Sequence, residues 1–265
     1  MQYQPIQSEA NARFKRWKKL ADSGRAVKKE GATLAEGVHL AQTALERSVP
    51  INAVILRSKG INAEAESLLT GLQRGSAPFF VLDSTLYDAI SPVEHGAGLM
   101  LEVRLPVLNR PQSLDEDVLY LDGVQDPGNI GTLIRTAVAS GVTNIVASAG
   151  CANCWSAKAL RAGMGAHFAA AIYENVSPEE VVGFCRGRRL AADARGGSDL
   201  YATAGWEKGP TVWMMGSEGQ GLSDAALSVA EQRLYIPIQA DCESLNVSAA
   251  AAVCLFEQRR RRRER

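Results

Sequence analysis

Two kinds of apolar pattern alternate along the chain. In "LAEGVHLAQTALERS" the apolar residues Leu34, Val38, Ala41 and Leu45 recur at helical spacing, which predicts an amphipathic helix starting at Leu34. "INAVILRS", immediately after Pro50, is a short run rich in β-branched residues and predicts a strand. The pattern then predicts a polar helix "NAEAESLLTGLQRG", a strand "PFFVLD", a short helix "STLYDAIS" and a strand "GLMLEVRLP", so residues 1–106 read as a small α/β domain. "PVLNRPQSLDED", Pro106 to Asp117, has two prolines, several acids and no periodicity, which gives a linker over 107–117. From Val118 the strands become continuously apolar and helices separate them: "VLYLDGV", "NIVASAG", "AAIYEN", "RLAADAR", "TVWMMGSE" and "RLYIPI". Strands of that kind are buried on both faces, so residues 118–265 are expected to form an α/β domain around a parallel sheet, with ligands beyond the strands' carboxyl ends.

Composition narrows the class without naming an activity. A chain of 265 residues suits two modest cores, and 46% hydrophobic residues with 29 basic against 29 acidic side chains describes a globular protein. No apolar run reaches the roughly 18–20 residues of a membrane span, and "MQYQPIQSEA" lacks the features of a signal peptide, so a cytoplasmic protein with no membrane partner is expected. Five cysteines, all in the second half, argue against a disulfide framework. Cys151 and Cys154 form a CxxC, but no second ligand pair completes a zinc site, so no metal is expected. His39, His95 and His167 stand apart from one another and are expected to be structural.

Charge is uneven despite the balance. Arg13, Lys15, Arg16, Lys18, Lys19, Arg25, Lys28 and Lys29 face a single acid, Asp22, between Arg13 and Lys29, and "RRRRRER" closes the chain. Either block could neutralise phosphates or be a solvated surface.

Three of the strand ends hold unusual residues: "DGVQDPGNIG", "GSEGQGLS" and "IPIQADCESLNVS". "GSEGQG" is neither a dinucleotide fingerprint nor a P-loop, and a tight turn followed by a helix cap at Ser223 explains its glycines as well as a ligand does. "ESLNVSAAAAVCLFE" places Ser244, Asn246 and Ser248 at the mouth of a helix, more polar residues than one cap requires, and its alanine run allows another backbone to pack close.

In order and spacing these segments resemble the three motifs of the SpoU, or TrmH-like, branch of the SPOUT RNA 2′-O-ribose methyltransferases: "DPGNIGTLIRTA", "GSEGQGLS" and "IPIQADCESLNVSAAAAVCLFE". The N-terminal part, with "SEANARFKRWKKL" and "LAEGVHLAQTALE", is similar to the ribosomal-protein-like RNA-binding domain that many of these enzymes carry. The resemblance implies a trefoil-knotted SPOUT domain, a homodimer, and S-adenosyl-L-methionine bound in a bent form, with Gly216, Ile236 and Leu245 touching it largely through backbone atoms. It implies Asn129, Arg135, Glu218, Ser244 and Asn246 as the polar residues of the site. Asp126 stands where many members have Asn, and Ala240 where Gly is frequent; neither is a residue on which the chemistry depends.

The implied reaction is attack of a ribose 2′-oxygen on the methyl group of the sulfonium. Arg135 as a literal base would require its pKa to fall from above about 12 to about 7, at a cost of roughly 7 kcal/mol. A charged Arg135 that grips a phosphate and stabilises the developing alkoxide is therefore the expected role, against the plain alternative of a surface arginine opposite Ile130, Leu133, Ile134, Ala137 and Val138. Ribosomal RNA is the expected substrate, with tRNA second, and Lys158 and Arg161 are further candidates to reach RNA. A non-catalytic RNA-binding or ribosome-assembly protein of the same fold is the competing reading.

Overall fold

The strands with the most continuous apolar sequence lie inside two sheets, one in each of two units into which the chain divides. The structure is a computed structural model describing residues 3–93 and 96–263; His95 and the last two residues of the basic block, Glu264 and Arg265, lie outside the described residues.

In chain order the first unit holds β1 (Tyr3–Ile6), α1 (Ala12–Asp22), α2 (Gly24–Glu30), β2 (Ala32–Glu36), α3 (Val38–Glu46), β3 (Ile51–Arg57), α4 (Ala63–Gln73), β4 (Phe79–Leu82), α5 (Ser84–Asp88) and β5 (Leu99–Arg104). Its sheet order is β1-β4-β3-β5-β2, with β5 antiparallel to both neighbours and the other pairs parallel. Asn11 caps α1 by accepting from the Arg13 and Phe14 amides, and the helix buries Phe14, Trp17 and Leu20. Buried Glu102 takes a hydrogen bond from Trp17 Nε1 at 2.7 Å and an ion pair from Arg16 at 2.8 Å, so its charge is matched.

The helix expected from Leu34 begins instead at Val38. Leu34 lies on β2, buried at every position and paired along its length with β5. Gly37, at φ 112°, separates the two elements in a backbone region that a side chain disfavours. Spacing alone merges a buried strand with the helix after it, because a fully buried strand carries no alternation.

The first unit extends to Val107, but it also takes in Trp155–Phe168, which lies inside the span read from sequence as the second domain. There α7 (Ala157–Gly163) packs on β2, Thr33 Oγ1 donates to the Trp155 carbonyl at 2.6 Å, and buried His167 lies against the Trp155 ring. Lys158 and Arg161 are exposed members of this segment.

The second unit, Leu108–Cys154 and Ala169 onward, holds β6 (Val118–Asp122), α6 (Pro127–Ser140), β7 (Asn144–Ala147), β8 (Ala171–Glu174), α8 (Pro178–Phe184), β9 (Arg188–Ala192), β10 (Ser198–Asp199), β11 (Thr211–Gly216), α9 (Asp224–Val229), β12 (Gln232–Tyr235) and α10 (Val247–Arg263). Its seven strands run β10-β12-β9-β11-β6-β7-β8, every pair parallel, as the apolar runs predict. β6, β7 and β11 are buried at every position, α10 packs along α6, and α8 packs on α9. No described helix is long and apolar enough to cross a membrane.

The described part of the C-terminal basic block is the last turns of α10, and most of its charge is used internally. Arg259 donates to the Ser140 carbonyl at 2.8 Å, and Arg260 pairs with Glu257. Arg261 reaches Glu257 and the Leu200, Tyr201 and Thr203 carbonyls and stacks over Trp206. Arg262 binds Asp117 and the Glu207 and Gly209 carbonyls. The block therefore fastens α10 to the loop before β11.

Candidate active site

Asp126 caps α6 by accepting the Asn129 amide at 2.9 Å, and Pro127 occupies the first turn, where its missing N–H is no loss. This start leaves the Asn129 side chain free to bond outside its helix. Its Nδ2 donates to Glu218 Oε1 at 2.7 Å, while its Oδ1 accepts from Asn246 Nδ2 and Ser248 Oγ, each at 3.3 Å. Asn246 Oδ1 in turn accepts the Ser248 amide at 2.9 Å, fixing the entry to α10. One hydrogen-bonded chain thus joins the three segments singled out in the sequence.

The loop after β11 folds back on itself through paired Ser217 and Gly221 amides and carbonyls, both at 3.0 Å, with Gly221 at φ 71°. Gly216 lies beneath it: a Cβ there would meet the Gly221 carbonyl carbon at 2.1 Å. Only glycine fits. Gly216 is in register with Asp122, whose buried carboxylate accepts the Ser223 amide at 2.8 Å and so ties the far end of the loop to β6.

Between this loop, the end of β9 and the segment after β12 is a cavity of about 320 Å³. Such a volume sits at the lower end of small-molecule sites, roughly 300–1,000 Å³. Gly216, Glu218, Ile236, Ser244 and Leu245 line it, and Asn129 and Asn246 join it through Glu218. Seven of the eight expected site residues are therefore assembled. Arg135 is not: it lies six residues beyond Asn129, about 9 Å along the helix, exposed and without a hydrogen bond or ion pair among the described residues.

The wall is part apolar (Met215, Leu234, Val247) and part acidic (Asp193, Glu218, Glu243), with Arg195 its one basic residue among those described. Burial pushes the Asp193 carboxyl up, but hydrogen bonds from Arg195 and Arg233 prevail and hold it below the ordinary range. Sequence pattern does not single out Asp122, Asp193 or Arg195. A carboxylate at or just past the end of an apolar strand, with a glycine within the next three residues as in "LDG" and "ADARG", is the available signal.

A ligand cavity at the carboxyl ends of a parallel sheet, built by glycine backbone and a polar side-chain chain, is the organisation of an α/β enzyme. The chain belongs to the SpoU rRNA Methylase family, whose profile matches residues 117–256. The MRM3-like substrate binding domain matches residues 11–100. The 23S rRNA (guanosine(2553)-2′-O)-methyltransferase RlmP of Bacillus subtilis is 29% identical over 263 residues, covering 96% of this chain and 98% of its own length. The 23S rRNA (uridine(2479)-2′-O)-methyltransferase of Streptomyces viridochromogenes is 27% identical over 267 residues, covering 95% and 91%. The crystal structure of the SpoU methyltransferase AviRb from Streptomyces viridochromogenes, in complex with AdoMet, superposes with a TM-score of 0.84 at 24% identity over 95% of this chain and 98% of that one, a likeness of fold.

Proposed function

We propose that the protein transfers a methyl group from S-adenosyl-L-methionine to a ribose 2′-oxygen of ribosomal RNA. The observation that carries this reading is the meeting of all three motif segments around one cavity, joined through Glu218, Asn129 and Asn246. The residues suit the cofactor: Gly216 lets the loop fold back tightly and lines the cavity, Met215, Ile236 and Leu245 offer an apolar wall, and Glu218 and Glu243 complement a cation. When bound, the cofactor supplies an electrophilic methyl carbon on a positively charged sulfur. The protein's own part is to orient and to stabilise charge. Asn129 fixes Glu218 on one side and Asn246 on the other, and Ser244 and Leu245 close the cavity wall. Arg135, exposed and uncommitted, is available to a phosphate of the incoming RNA and to the developing alkoxide.

The first unit supports an RNA substrate independently. Arg16 and Lys18 are paired with Glu30, Glu102 and Asp22, whereas Lys15, Lys19, Arg25 and Lys29 on α1 and α2 are exposed with no counterion among the described residues. The full-length relatives named for 23S rRNA favour ribosomal RNA over tRNA, with work in the cytoplasm. The knotted topology and the homodimer belong to the same proposal. An outer stripe on α10 supports the dimer: Ala249, Ala252, Val253 and Phe256, the last 45% exposed, face away from the buried Ala251, Cys254 and Leu255. Mapping 2′-O-methyl groups across rRNA and tRNA in cells lacking the gene tests the substrate. One lost rRNA site is expected, and loss confined to tRNA contradicts the choice.

A further inference from the structure

The Ser217–Leu222 loop carries Glu218 and covers Gly216, yet its own backbone is only partly held by its internal ladder. The carbonyls of Gln220 and Leu222 lie outside that ladder, and both are taken by one side chain from a different connection: Arg195 Nη1 donates to the Gln220 carbonyl and Nη2 to the Leu222 carbonyl, each at 3.2 Å. The guanidinium lies beside Gly221, its nearest nitrogen 3.5 Å from where a Cβ would project at φ 71°. Its third edge is fixed by Asp193, which accepts Arg195 Nε at 3.0 Å and the Arg195 amide at 3.1 Å. Asp193 is buried, and Arg233 on β12 donates to its other oxygen at 2.5 Å. A buried carboxylate thus aims an arginine fork, and the fork braces two carbonyls of the loop. Only a planar, multi-donor cation can do this; a lysine ammonium would reach one carbonyl as a point charge.

We propose that Arg195 is a positioning residue for the cofactor site, holding the Ser217–Leu222 loop in the shape that presents Gly216 and Glu218 to the cavity, with Asp193 as its anchor. The inference rests on the functional reading above, because the ligand whose site the loop shapes is S-adenosyl-L-methionine. Arg195 sets the affinity of that site and not the chemical step.

The test compares wild-type protein with Arg195→Ala, Arg195→Lys and Asp193→Asn. Cofactor affinity is measured by calorimetry, KM and kcat by methyl transfer to rRNA, RNA affinity by filter binding, and fold by the thermal midpoint. Arg195→Ala should weaken cofactor binding roughly tenfold, the scale of one missing charge-assisted hydrogen bond, and raise the cofactor KM by more than it lowers kcat. RNA affinity should hold, Arg195→Lys should recover part of the loss, and Asp193→Asn should reproduce it in weaker form. Cofactor affinity in Arg195→Ala within about twofold of wild type, or a loss shared equally by RNA affinity and thermal midpoint, overturns the inference alone. A wild-type protein that binds no S-adenosyl-L-methionine overturns the functional reading and this inference with it.

Discussion

At the scale of single residues, the site divides into groups locked in place and one left free. Gly216 is the most constrained: the Cβ of an alanine would lie 2.1 Å from loop backbone with no flexible side chain to yield. Gly216→Ala should abolish detectable cofactor binding and lower stability by about 1–3 kcal/mol, the usual range for overpacking. Unfolding and calorimetry on the same sample check it, and wild-type affinity in the variant would remove Gly216 from the site. Arg135 is the opposite case, with no partner among the described residues although its helix is fixed at Asn129. Arg135→Ala should cut the rate of methyl transfer by roughly 100-fold to 1,000-fold, as losing a charge-stabilising donor does elsewhere. Cofactor affinity should be retained and Arg135→Lys should keep part of the rate. Equal rates for Ala and wild type would return Arg135 to the status of a surface arginine.

At the scale of elements, two basic blocks that look alike in sequence behave differently. The described arginines of α10 are mostly bound within the second unit, while Lys15, Lys19, Arg25 and Lys29 stand open on α1 and α2. Changing those four to Glu should weaken RNA binding and flatten its salt dependence by about 0.7–0.9 in logarithmic slope for each phosphate no longer neutralised. Cofactor affinity should be unaffected, and an unchanged slope would remove this face from the RNA interface. On α10, Arg260 and then Arg261 hold the Glu257 carboxyl down to about 2 from the ordinary 4.5. A depressed acid stabilises the fold fully above its ordinary pKa and loses that contribution as pH falls through the folded value. The stability difference between wild type and Glu257→Gln should therefore be constant near neutrality and close between pH 4.5 and about 2. A difference indifferent to pH would contradict the pairing. The core strands of the second unit were legible because burial on both faces leaves an unbroken apolar run. β2 was hidden by the same property, its buried residues reading as the start of α3. The motif residues were legible because polar and glycine-rich segments interrupt the apolar pattern just past the strands' carboxyl ends, in a characteristic order and spacing. The arginine block and the Asp193–Arg195 brace were not, since their partners are mostly backbone carbonyls distant in sequence.

At the scale of the whole molecule, each unit has its own sheet and its own chemistry. The first carries the open cations of α1 and α2, and the second carries the cavity, the residues around it and Arg135. Sequence pattern placed the boundary near Val107 but had no means of assigning Trp155–Phe168 to the first unit, because amphipathicity shows that a helix is buried and not against which sheet. The central claim is that this chain methylates a ribose hydroxyl of ribosomal RNA. Its most direct test incubates the purified protein with methyl-labelled S-adenosyl-L-methionine and protein-free 23S rRNA or tRNA, followed by complete alkaline hydrolysis. Cleavage uses the 2′-hydroxyl, so a 2′-O-methyl group protects the adjacent bond. The account predicts label in a single alkali-stable dinucleotide from rRNA and none from tRNA. Label released in mononucleotides, or no transfer to rRNA at all, would contradict it.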